Sequence, residues 1–116
     1  MTRAGGRASH AAPAEQTAPV FAALGDATRL ALVAQLVQRG PLSIAQLADG
    51  RAMTRQAITK HLHVLERAGV ARRDRHGREC RWACAPGPLN HARRYLAAVS
   101  ARWDARLDRL RQFVEQ

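Results

Sequence analysis

Residues 54–70 read TRQAITKHLHVLERAGV, and this stretch limits what the chain can fold into more than any other. Ile58, Leu62 and Leu65 recur at spacings of four and three, which puts them on one face of an α-helix. Thr54 stands where an N-cap belongs, and Gly69 stands where a helix ends. Opposite the apolar face lie Arg55, Gln56, Thr59, Lys60, His63 and Arg67. Burial accounts for the stripe. It does not account for the selection of hydrogen-bonding side chains across from it.

The residues after the helix narrow the choice. Two short extended runs, Val70 to Arg73 and Glu79 to Ala83, flank DRHG and read as a β-hairpin. From Arg51 to Arg81 there are nine cations against three acids, so more than half of the net charge of +10 falls on this segment. Arg72, Arg73, Arg75, His76 and Arg78 crowd around the hairpin tip, where a core cannot hide them. An anionic partner is implied. Nucleic acid is the commonest, and an acidic membrane surface is the plainer alternative.

Upstream, the sequence punctuates itself. Residues 1–15 are rich in Ala, Gly and Pro with no periodicity and read as a disordered tail. A helical pattern begins at Pro19, with Val20, Phe21 and Leu24 on one face. Asp26 can cap a second helix whose buried side is Leu30, Val33, Leu36 and Val37, stopped by Gly40-Pro41. Ser43 caps a short third helix with Ile44 and Leu47 inward. Thr54 opens the fourth. Pro86 and Pro88 close the hairpin, and a long last helix runs from Leu89 to the end. The fold class expected is mainly α with a small β-hairpin. A short helix, a tight turn and a helix with a polar outer face make a helix-turn-helix, and the hairpin after it makes the winged form. Residues 16–116 form this one domain, with 88–114 as a dimerisation helix.

An α-helix fits the major groove of B-DNA, and a helix inserted there places its N-terminal residues nearest the bases. That favours Arg55, Gln56, Thr59 and Lys60 as base-facing, with His63 nearer the backbone. The hairpin cations would lie along phosphates or an adjacent minor groove, His76 as a phosphate contact.

Three segments, FAALGDATRLALVAQLV, LSIAQLAD and MTRQAITKHLHVLERAGVARRDRHGRECRW, occur in order and at the right spacing to resemble the ArsR/SmtB family of small bacterial winged-helix repressors. The likeness covers roughly residues 18 to 116. It implies a homodimer that binds imperfect inverted repeats in promoters. It also implies that Thr54, Arg55, Gln56, Thr59, Lys60 and His61 occupy recognition-helix positions. Ala27 departs from the Pro that many members carry at the first turn. That matters little, because Pro there only pre-sets φ.

In the last helix, Leu89, Ala92, Leu96, Val99, Trp103, Leu110 and Phe113 recur at alternating three and four, which suits a packing seam. A small domain struggles to cover so long a helix. The expectation is that it packs partly on the first helix and partly on its twin in a second subunit, with Val20, Leu89, Leu96, Val99, Trp103, Leu110 and Phe113 at the dimer interface.

No metal and no cofactor are expected. The third helix has no Cys, and the last helix has one His, His91, without the second His of a zinc pair. Cys80 and Cys84 are the remaining candidates for a redox or metal-responsive repressor, but four residues along a strand separate them by about 13 Å. His61 and His63 face different ways. No glycine-rich phosphate loop, nucleophile elbow or buried carboxylate pair points to an enzyme. No apolar run approaches the about 18 residues of a membrane helix, so the cytoplasm is the expected location. The reading from a different class is a protein-interaction module whose basic surface only confers solubility. No small-molecule effector can be named from these residues.

Overall fold

A computed structural model describes residues 14–115. In chain order the elements are α1 (Ala14–Leu24), α2 (Ala27–Arg39), α3 (Ile44–Ala48), α4 (Arg55–Arg67), β1 (Ala71–His76), β2 (Glu79–Cys84) and α5 (Pro86–Glu115). This is the mainly helical, hairpin-bearing order that the sequence predicts.

Local chemistry sets most of the boundaries. The Asp26 carboxylate accepts from the Arg29 amide and starts α2. Ser43 and Gln46 form a reciprocal capping box, each side chain bonding the other's backbone, and so fix the first turn of α3. The Thr54 hydroxyl accepts from the Ala57 amide at 3.1 Å and starts α4. Gly69 ends α4 with φ +79°, a left-handed conformation that Gly enters without penalty. A Cβ there would also stand 3.2 Å from Pro88 Cγ.

The core gathers beneath α4. Ile58, Leu62 and Leu65 are fully buried against Leu32, Leu36, Leu47, Val70 and Trp82. The hairpin is antiparallel, with Ala71 opposite Cys84 and His76 opposite Glu79. Gly77 and Arg78 form its two-residue turn, and Gly77 takes φ +65°, as the first position of such a turn requires. Leu42 and Trp82 exchange two backbone hydrogen bonds of 2.9 and 2.7 Å, which anchor the hairpin to the loop between α2 and α3. α1 lies along the proximal half of α5, with Phe21 meeting Tyr95 edge to face at 6.3 Å.

The structure departs from the sequence reading at α1, α2, α5 and the hairpin, where β1 runs from Ala71 on to His76 and β2 on to Cys84, so that cross-strand pairing takes up most of the expected DRHG connection. Helix α1 begins at Ala14 and runs through Pro19, where the sequence pattern places its start. Proline fits helical φ, and its missing N–H leaves only the Glu15 carbonyl without a partner at an exposed end. The expected tail therefore loses residues 14 and 15 to α1, and residues 1–13 lie outside the described residues. In α2 the buried side is Leu32, Val33 and Leu36, whereas Leu30 and Val37 are exposed. The run LALVAQLV is apolar at too many positions for period alone to select a face. Finally, α5 starts at Pro86, with both prolines in the first turn, where no intrahelical N–H bond is lost.

Candidate nucleic-acid interface

The outer face of α4 forms one open groove with the start of α3. Arg55, Gln56, Thr59, Lys60 and His63 line it, together with Ile44. Arg55, Gln56 and Lys60 are exposed, while Thr59 and His63 are half-buried. Thr54, which the sequence assigns to this surface, spends its hydroxyl as the helix cap. Five of the residues predicted to face DNA are thus brought together, on the face opposite the buried stripe.

His61 is set apart from them. Its Nδ1 lies 3.2 Å from Arg29 Nη1 and 3.8 Å from an Asp26 carboxylate oxygen. Arg29 in turn donates from Nε to the Ala23 carbonyl. The ring therefore braces α4 against the junction of α1 and α2. The direct DNA contact expected of His61 is corrected to this internal one, because its position on the helix turns it about 100° or more from the groove-facing side chains on either side. The Asp26 carboxyl is held below its ordinary value of 3.8, chiefly by the Arg29 backbone N–H.

The hairpin divides its cations into two groups. Arg73 bonds Glu66 of α4 at 2.9 Å and lies 5.6 Å from the centre of the Trp82 ring. His63 approaches the same ring at 5.9 Å. These contacts tie the hairpin to α4 and fix its angle. The Trp82 indole N–H has no acceptor among the described residues, so ring contacts and its backbone bridge hold that side chain. Arg72 pairs with Asp74 at 3.6 Å, and Arg81 pairs with Glu79 at 2.8 Å. At the tip, Arg75, His76 and Arg78 are exposed and form no ion pair among the described residues, the Glu79 opposite His76 being engaged by Arg81. Free positive charge therefore concentrates at the end of the hairpin.

Cys80 and Cys84 lie on one unbroken strand, both as free thiols, with Trp82 between them. No chain reversal shortens the distance that strand geometry imposes. Partial burial raises the Cys84 pKa, with Arg72 opposing, so its thiolate is disfavoured.

The expected dimer residues also separate. Val20 is already 96% buried within the chain, at 4% exposure, and Leu89 packs on the same core. Val20 is corrected to an intrachain role, since α1 packs on that part of α5, while Leu89 keeps part of its surface exposed. Val99 is half-buried, and every residue from 100 to 115 is exposed. Leu96, Trp103, Leu110 and Phe113 are 51, 59, 56 and 74% exposed. Leu107 and Val114 extend this uncovered face.

Comparison with known proteins gives the arrangement a place. A family model described as a helix-turn-helix domain matches residues 24–74. An ArsR-like transcriptional regulator from Rhodococcus sp. RHA1 superposes with a TM-score of 0.72 and 37% identity, over 85% of this chain and 92% of that one. The chain belongs to the ArsR family. The HTH-type transcriptional regulator YuzN of Bacillus subtilis is 40% identical over 65 residues, 51% of this chain and 71% of the relative. A homodimeric winged helix-turn-helix DNA-binding domain from Mycobacterium bovis, a possible ArsR-family regulator, has a TM-score of 0.59 and 25% identity over 82% of this chain and 84% of its own. This ArsR-family chain is a DNA-binding transcriptional regulator, as its relatives are transcriptional regulators. Among the described residues, no single helix is long and apolar enough to cross a membrane.

Proposed function

We propose that this regulator acts in the cytoplasm as a homodimeric repressor that binds an inverted-repeat operator. Each α4 enters the major groove of one half-site. Arg55 and Gln56, in the first turn, read base edges, and Thr59, Lys60 and His63 continue the contact. The Thr54 cap fixes the first turn. The hairpin acts as the wing, with Arg75, His76 and Arg78 on the flanking phosphates. Arg72 and Arg73 stand at its base, engaged with Asp74 and Glu66, and hold its pose. The distal half of α5 pairs with its twin through Leu96, Val99, Trp103, Leu110 and Phe113. The homodimeric Mycobacterium relative supports a dimer, and the uncovered apolar face of α5 supports its place.

The observation that carries this reading is the groove itself. Five side chains of the types that recognise bases and phosphates share one open surface on a capped helix, beside a hairpin tip with unopposed positive charge. A sensor reading through Cys80 and Cys84 has no comparable geometry behind it.

The test begins with selection of bound duplexes from a random pool. An inverted repeat should emerge, with half-site centres about ten base pairs apart or a multiple of that. Arg55→Ala or Gln56→Ala should then weaken binding to the selected site by about 1–3 kcal/mol and relax preference at one position. Equal losses on selected and random DNA would refute base reading by α4. A pool without enrichment would refute the operator.

A further inference from the structure

The groove that presents Arg55, Gln56, Lys60 and His63 is not polar throughout. Ile44 lines it too. As the first residue of α3, it is held in place by the Ser43 capping box, and it packs partly on the core while remaining half-buried at the groove. Thr59 occupies the middle of the same surface, one turn after Arg55 and one turn before His63. Its hydroxyl donates to the Arg55 carbonyl oxygen at 2.8 Å. A carbonyl only accepts, so the hydroxyl proton is committed to the helix backbone. Thr59 therefore has no proton to offer a base. The other heavy atom on its Cβ is the Cγ2 methyl, and this is what it has left to present. Ile44 and the Thr59 methyl thus contribute apolar atoms to a groove whose other lining is cationic and amide-bearing.

The natural bases present one apolar group in the major groove, the C5 methyl of thymine. Such apolar atoms gain nothing against phosphates or against the amino and carbonyl edges of other bases. We infer that Thr59 and Ile44 read the methyl of one thymine in each half-site, next to the bases read by Arg55 and Gln56. The inference rests on the DNA-facing reading of the groove and adds a specificity element to it. 5-Methylcytosine carries the same methyl at the same place. The flanking hydrogen-bonding groups decide between the two bases, and thymine is the one committed to here.

The experiment uses full-length protein and duplexes selected by that protein from a random pool. Each thymine in turn is replaced by uracil, which removes the methyl and leaves every hydrogen-bonding group. One thymine per half-site should cost about fourfold in affinity, the worth of one buried methyl. Thr59→Ser keeps the hydroxyl and deletes only the methyl. It should lose about sixteenfold on thymine DNA, because both half-sites lose a methyl contact, and show a smaller uracil penalty at that position, the remainder belonging to Ile44. Thr59→Val should keep the discrimination. Uracil tolerated at every position, by a protein that still prefers its selected site over random DNA, overturns methyl reading and leaves the groove assignment standing. No preference for any sequence overturns the groove assignment and this inference with it. A uracil penalty undiminished in Thr59→Ser overturns the role of Thr59, and tighter binding to 5-methylcytosine than to thymine overturns the choice of base. The uracil series uses the unaltered protein, so it decides the matter even if a variant folds poorly.

Discussion

Replacing Trp103 by Ala probes the proposed dimer at its largest side chain. Within the chain Trp103 leaves 59% of its surface in water. A tryptophan offers at most about 250 Å², so a partner helix can cover roughly 150 Å² of it, worth about 3–4 kcal/mol at about 25 cal/mol per Å². Alanine retains a small part of that. The residue occurs once on each side of a two-fold interface, so the loss per dimer is roughly 5 kcal/mol as an upper value. The dimer Kd should rise by about three powers of ten. Sedimentation equilibrium across micromolar concentrations measures this directly. Tryptophan emission gives a second reading. The chain has two Trp, and Trp82 is 2% exposed. A red shift on dilution of the unaltered protein therefore reports Trp103 returning to water. Gln112→Ala, off the apolar face, should leave the Kd unchanged. A Trp103→Ala protein with the parental Kd, or a parental protein that remains monomeric at high concentration, would refute the pairing of the distal helices.

Other outcomes follow from the same geometry. Arg75→Ala with Arg78→Ala should weaken selected and random DNA alike and lower the salt slope of dimer binding by about four, two contacts for each wing, with no change in melting temperature, since neither side chain pairs with an acid among the described residues. A salt slope unaltered in that double variant removes the wing from the phosphates. Gly69→Ala should destabilise the fold by about 1–2 kcal/mol in urea titration, because it forces a side chain into left-handed backbone and sets a Cβ against Pro88. Asp26 has its carboxyl pKa lowered in the folded state, so the stability it confers is present above its ordinary value of 3.8 and disappears as pH falls through the lower folded value. Asp26→Asn should therefore flatten the acid limb of the unfolding curve below about pH 4, and an unchanged limb would show that this cap is not titrating with the fold.

Much of the molecule is legible in the residues alone, and the reason is local. Caps at Asp26, Ser43 and Thr54 act over three residues, so sequence places the starts of α2, α3 and α4 correctly. Ile58, Leu62 and Leu65 stand out because polar neighbours surround them. Gly77 marks its turn because that turn needs positive φ. The same local signals mislead at Pro19, where a start signal sits inside a helix.

The sequence by itself determined the order of elements and the face of α4 that is polar, because helical period and capping are properties of neighbouring residues. Only the tertiary structure decided which α2 leucines are buried, that Val20 is used up inside the chain, and that His61 turns to Asp26 and Arg29. It also decided that Arg73 is engaged by Glu66 and Trp82 while Arg75 and Arg78 form no ion pair among the described residues. Each of these depends on which distant element arrives alongside, and a one-dimensional pattern does not encode that.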